Sequence, residues 1–197
     1  MIIGIDYSMT SPAVCLHRGK TWSFRNCEFH FFHKERKADF SRIRNGSTGL
    51  YPYEYPMDLD PGTERFDFLS DWVMRILNEH DKMGTVWMEG YSYGSKGSRV
   101  FEIGENSGIL KLKLFSNGIP FRVVPPTVIK KHATGKGNAD KRLLEETFVS
   151  ETELDLRTLL NQTKKQFNPS SDVVDSYYAC RYGFQQYSDP PEATNLL

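Results

Sequence analysis

Met1 to Gly4 is an unbroken apolar run that gives way at Asp6, the pattern of a buried strand with a carboxylate at its carboxyl end. Ala13 to His17 is a second such run. Trp22 to Phe32 sets Trp22 and Phe24 against polar neighbours, so three successive strands read as a meander. The pattern then breaks: Lys34 to Gly62 is polar, aperiodic and rich in Tyr, Pro and Gly, too long for an ordinary connection, and reads as an inserted loop. Helical spacing follows, with Phe66, Leu69, Val73, Ile76 and Leu77 on one face and Asp60-Pro61 or Thr63 as the start signal.

From there strand and helix alternate. Thr85 to Met88 is a short strand that delivers Glu89 at its end, and Phe101 to Phe115 is helical with Ile109, Leu112 and Phe115 on one face. Ile119 to Val124 is a strand closed by Pro125-Pro126. Thr127 to His132 predicts a short helix, Thr134 to Gly137 a glycine turn, and Asn138 a cap for a helix over Ala139 to Val149, with Ser150 capping a further turn. The last helix begins near Ser170 or Ser171 and runs to about Gln185. Strands first, then alternation, predict an α/β or α+β domain built on a mixed sheet with flanking helices. With 197 residues and no internal repeat, residues 1–197 are expected to form a single domain, with the insertion at about 34–62 and a short tail at about 187–197.

Composition removes several classes of function. Hydrophobic residues make up 39% and charged residues 25%, with no apolar run near the ~18 residues of a membrane span, so a soluble chain with a core and no membrane partner is expected. The start reaches a carboxylate at Asp6 without a long apolar stretch, which does not read as a secretory signal, and a cytoplasmic location is the expectation, the host cytoplasm for a phage-encoded chain. Three cysteines without Cys-x-x-Cys argue against a disulfide framework or a zinc site. Net charge is zero but unevenly spread: Lys96 to Arg142 holds ten Lys and Arg against three acids, while Tyr51 to Glu89 holds nine acids and three bases. Taken alone such blocks read first as solvated faces; a basic stretch for phosphates beside separate carboxylates for metal is also what a metal-dependent nuclease needs.

The carboxylates sharpen that choice. Asp6 and Glu89 each end a central strand, and neighbouring parallel strands would bring both to one edge of the sheet, where α/β sites form. Asp172 and Asp175, three apart on the last helix, share a face. Each alone fits a structural role, as turn cap, exposed acid or helix N-terminal charge. Together they form an all-oxygen donor set suited to Mg²⁺ or Mn²⁺ and unsuited to zinc or iron.

The residues resemble a known family. Gly4-Ile5-Asp6, Met88-Glu89-Gly90-Tyr91, Val128-Ile129-Lys130-Lys131, Thr134-Gly135-Lys136-Gly137-Asn138-Ala139-Asp140-Lys141 and Asp172-Val173-Val174-Asp175-Ser176 look like the RuvC Holliday-junction resolvases in order and spacing across most of the chain. The Gly-Ile-Asp start is shared with actin-like ATPases and sugar kinases; the lysine and glycine segment followed by Asp-x-x-Asp is more specific. The resemblance implies an RNase H-like fold, a homodimer paired through the glycine-containing helix around Gly104 and Gly108, and paired symmetric nicks across branched, four-way DNA. It implies two Mg²⁺ ions per site, with Mn²⁺ able to substitute, held by Asp6, Glu89, Asp172 and Asp175. Relatives with His in place of Asp172 make that ligand the least fixed. Lys130 and Lys141 match lysines that act near the scissile phosphate; Lys96, Arg99, Lys131, Lys136 and Arg142 are assigned to the DNA backbone, and Tyr91 or Tyr93 to stacking on an opened junction, worth ~1–3 kcal/mol per base.

The sequence departs from the family at Tyr7-Ser8, where Pro-Gly is usual, in the long insertion, and in the loop Tyr91 to Gly97, features closer to phage-encoded members. Two other readings remain open at this level: a debranching nuclease acting on flaps through the same metal site, and a non-catalytic or ATP-binding protein of the same superfold. The ATPase version lacks a second phosphate loop of the Asp-x-Gly-Gly-Thr kind, and Asp6-Tyr7-Ser8 lacks the Asp-x-Glu of a proofreading exonuclease.

Overall fold

The computed structural model describes residues 1–34, 49–56, 59, 62–80, 84–91, 99–163 and 165–188. Its centre is a six-stranded mixed sheet of order β4-β3-β2-β1-β5-β6, formed by β1 (Ile2–Asp6), β2 (Ala13–His17), β3 (Cys27–His33), β4 (Leu50–Glu54), β5 (Thr85–Glu89) and β6 (Phe121–Val124). The first three strands are the antiparallel meander the alternation predicts, while β1–β5, β5–β6 and β3–β4 are parallel. Helices α1 (Thr63–Asn78) and α2 (Arg99–Ser116) cover one face; α3 (Pro126–Thr134), α4 (Lys141–Thr152), α5 (Leu156–Leu159) and α6 (Ser170–Ser188) follow on the other.

Strand periodicity divides the core. Ile3 and Ile5 point into the cluster with Leu69, Trp72, Val73 and Leu110, whereas Ile2 lies with Val173, Tyr177 and Cys180 of α6. On this second face Gly4 brings β1 into backbone contact with α6: a Cβ there would stand 2.1 Å from the Ser176 carbonyl oxygen and 2.2 Å from the Cys180 nitrogen. Gly183 repeats the device over β5, where an added Cβ would meet the Trp87 ring at 2.3 Å. The helix that carries Asp172 and Asp175 is therefore pressed onto the two strands that carry Asp6 and Glu89.

Four expectations need correction. The third strand starts at Cys27, because Phe24–Asn26 forms a 3-10 turn that leaves Trp22 stacked on His17. The stretch read as an insertion contains β4, an edge strand paired to β3; Leu50 alone of its residues is buried, and Pro52 is tolerated at an edge, so the usual alternation is missing. Residues 35–48 of that stretch lie outside the described residues, as do 189–197 of the expected tail. Helix α4 is capped by Asp140, whose carboxylate accepts the Leu143 N–H at 2.9 Å, and continues past Ser150; the next turn is capped by Asp155. Finally, α2 buries Asn106, Ser107, Leu110 and Leu114, leaving Leu112 and Phe115 of the expected core face exposed.

Candidate active site

Asp6 and Glu89 are the last residues of adjacent parallel strands whose register pairs Ile5 with Met88. Period two turns both to the α6 face, with Gly4 and Trp87. Asp175, one turn into α6, completes a group in which one oxygen from each of Asp6, Glu89 and Asp175 lies within 4.8 Å of the others. Asp172 stands outside that trio, deeper in the protein, against Asp6 and the Ser11 hydroxyl, and its Oδ2 has no hydrogen-bond partner. The structure thus gathers three of the four expected carboxylates around a common point and sets the fourth behind one of them.

Three ionised carboxylates at that spacing repel by roughly 3 kcal/mol per pair at an effective dielectric near 20. Their acidities reflect it. Burial raises the Asp6 carboxyl far above its ordinary range, reinforced by the neighbouring Asp172, against the pull of Lys141. Glu89 is raised by burial and then by Asp175 and Asp6, with Lys130 and Lys141 opposing. Asp172 and Asp175 are pushed up to about 7, chiefly by burial; Ser11 and Lys141 hold Asp172 down, while Asp6 adds to the rise of Asp175. Two lysines oppose the crowding without balancing it. A crowded all-oxygen donor set with one buried oxygen lacking a hydrogen-bond partner fits a hard divalent cation.

Both lysines come from the segment after β6. Lys130 lies on α3, half-buried, and Lys141 opens α4, its Nζ donating to Ser171 Oγ at 3.1 Å. Gly135, at φ 76°, ends α3 in the left-handed conformation that glycine adopts without strain, which turns the chain back so that both lysines meet the site.

No family model matches the sequence. The solved structure of Thermus thermophilus RuvC aligns with 95% of this chain and 96% of its own at TM-score 0.57 and 18% identity. T. thermophilus RuvC in complex with Holliday junction substrate aligns with 95% of this chain and 93% of its own, at TM-score 0.56 and 16% identity. The chain has the RuvC fold. In sequence, the crossover junction endodeoxyribonuclease RuvC of Chloroflexus aggregans is 30% identical over 73 residues, which is 37% of this chain and 44% of that protein, so the match spans less than half of that relative.

On this RuvC fold the remaining candidate residues separate. Lys131 and Lys136 are exposed beside the segment that carries Lys130 and Lys141, and Arg142 is exposed with its guanidinium on Glu146 at 2.8 Å. Tyr91 follows Glu89 but is docked on α2: its hydroxyl accepts from Lys111 Nζ at 3.0 Å, and the same ammonium stands 4.7 Å from the ring centre. It is 45% exposed, so one face of the ring stays open. Tyr93 and Lys96 lie outside the described residues, as does the side chain of Arg99. Three residues at the site escaped sequence reasoning. Glu145 is buried, pairs with Arg157 at 2.8 Å and accepts from Ser170 Oγ at 2.9 Å, bracing the start of α6. Ser11 and Ser171 touch Asp172 and Lys141; the polar run Asn168-Pro169-Ser170-Ser171 ahead of Asp172 was the available signal, and it reads equally as a helix cap.

Proposed function

We infer that this chain is a structure-selective, divalent-metal-dependent endodeoxyribonuclease that resolves four-way DNA junctions by paired symmetric nicks, with residues 1–197 forming one nuclease domain. The observation that carries the reading is the trio Asp6, Glu89 and Asp175, with oxygens within 4.8 Å of one another under two lysines, on a fold shared with a RuvC solved with Holliday junction substrate. Asp6, Glu89 and Asp175 would hold the cation, with Asp172 behind Asp6 available to a second; Mg²⁺ is the ion such donors favour, and Mn²⁺ can replace it. Bound there, divalent ions activate water and neutralise charge on the phosphate. Lys130 and Lys141 offset the charge that develops on the phosphoryl oxygens and, in the free protein, part of the carboxylate repulsion. Lys131, Lys136 and Arg142 extend the positive surface outward from the site, where DNA phosphates would run, and the open face of Tyr91 offers a stacking platform.

A homodimer belongs to the same reading. Phe101, Leu112 and Phe115 of α2 are 74, 64 and 76% exposed, and a Cβ added at Gly104 or Gly108 would meet nothing within 4 Å. Neither glycine is required by packing within the chain, although each costs a helix ~1 kcal/mol relative to Ala. A second copy of α2 approaching closely would explain both glycines and cover the aromatic stripe.

The test is cleavage of a synthetic four-way junction, a flap and a linear duplex side by side in Mg²⁺. The junction is expected to be nicked at symmetry-related positions, and Asp6→Asn, Glu89→Gln and Asp175→Asn each to bind it while losing at least about 10³-fold in rate. Normal cutting by all three variants would overturn the site assignment, and preferential cutting of the flap would overturn junction selectivity.

A further inference from the structure

Lys141 does not reach the carboxylates as a free side chain. Its ammonium donates to Ser171 Oγ at 3.1 Å, Ser171 Oγ donates to Asn168 Oδ1 at 3.3 Å, and Asn168 Nδ2 donates to Ser11 Oγ at 2.7 Å. The Ser11 hydroxyl in turn lies beside the Asp172 carboxyl and holds its acidity up against burial. Four side chains from the turn after β1, the start of α4 and the approach to α6 are hydrogen-bonded in one line, with a cation at one end and a hydroxyl beside the Asp172 carboxyl at the other.

The inventory of donors gives that line a direction. An ammonium can only donate, a hydroxyl has one proton to pass on, an amide accepts at one end and donates at the other, and a carboxylate only accepts. Every donor here points from Lys141 toward Asp172, so each bond polarises the next. The two hydroxyl members are enclosed, Ser11 at 6% and Ser171 at 2% exposure, which leaves little room for water to stand in for a missing partner. Both loops are tied down independently: Ser8 Oγ accepts the Ser11 N–H at 2.9 Å, and Gln162 Nε2 donates to the Asn168 carbonyl at 2.5 Å.

The geometry points to Ser171, Asn168 and Ser11 as positioning residues that hold the Lys141 ammonium and the Asp172 carboxyl at a set separation beside the metal-binding trio. The assignment rests on the nuclease reading above. Asn168 decides the direction of the line, because its oxygen faces Ser171 and its nitrogen faces Ser11. Asn168→Asp keeps the shape but replaces the donor with an acceptor, so the Ser11 hydroxyl must donate back to position 168 and the direction of the line is reversed there. Asn168 is exposed, and the change removes no packing.

The experiment compares wild type, Asn168→Asp, Ser171→Ala and Ser171→Thr in single-turnover nicking of a four-way junction in Mg²⁺, with the junction Kd measured in parallel. Crystal structures of wild type and Ser171→Ala complete it. Loss of one charge-assisted hydrogen bond is expected to slow nicking by roughly 10–100-fold in Asn168→Asp and Ser171→Ala at unchanged Kd, with Ser171→Thr restoring the rate by returning the hydroxyl. In crystals of Ser171→Ala the Lys141 ammonium is expected to leave its wild-type place. Wild-type rates in both Asn168→Asp and Ser171→Ala, or an unmoved Lys141, would overturn the proposal. If wild type itself leaves the junction uncut, the nuclease reading fails, and the position of Lys141 in the two crystal structures still decides the positioning role.

Discussion

At the scale of single residues, the site is a set of acids held closer than their charges favour. Between the ordinary carboxylate range and about 7, the folded protein keeps protons on Asp172 and Asp175 that the unfolded chain has already lost. These groups therefore favour folding at low pH, and their contribution disappears as pH rises through 7. Asn at position 175 never ionises. In a chelating buffer, Asp175→Asn is expected to melt with wild type near pH 3, below the ordinary carboxylate range, and a few degrees above it at pH 8, a difference that differential scanning calorimetry would resolve. Equal melting temperatures at pH 8 would show that the acids are not under strain. Lys141→Ala removes one opposing charge and should slow nicking by about 10²-fold while sharpening that pH dependence, read by stopped nicking assays and the same calorimetry. Gly4→Ala acts differently: its Cβ meets the α6 backbone at 2.1 Å, which cannot rotate aside, so a loss of roughly 3 kcal/mol or more in urea unfolding is expected.

At the scale of elements, the legible parts were those in which one period ruled. Strands β1 and β5 are short apolar runs that each end in a carboxylate, so Asp6 and Glu89 could be placed at a shared edge by taking the two strands as parallel neighbours, and the i, i+3 spacing of Asp172 and Asp175 placed both on one helix face. Strand β4 was lost because an edge strand with a central proline and one buried residue carries almost no alternation. The facing of α2 was misread because an exposed apolar stripe looks the same in sequence as one that faces the core. The hydroxyl and amide members around Lys141 had no distinctive signal, since Ser and Asn in loops read as caps. The outward stripe of α2 makes its own prediction. Phe115→Glu should leave the melting temperature of the isolated fold nearly unchanged, because the ring is 76% exposed, while sedimentation velocity shifts from dimer toward monomer. A monomeric wild type would remove the reason for Gly104 and Gly108.

At the scale of the whole molecule, a chain of zero net charge can still bind a polyanion because its charges are segregated, with ten Lys and Arg concentrated between Lys96 and Arg142. Each phosphate contact releases counterions, so Lys131→Ala or Lys136→Ala should weaken junction binding evenly across sequences and lower the salt slope by about one, measured by titration at several salt concentrations. The meeting of β1 and α6 at Gly4 has a mechanical consequence for the same molecule. Main chain rests directly on main chain there, with no compressible side chain between them, so β1 and α6 cannot close further on the gap spanned by Asp6 and Asp175. The contact sets a floor on that gap. Ca²⁺, whose oxygen ligands sit at ~2.3–2.6 Å rather than the ~2.0–2.1 Å of Mg²⁺, would hold the carboxylates farther apart than that floor, and should anchor DNA without supporting turnover.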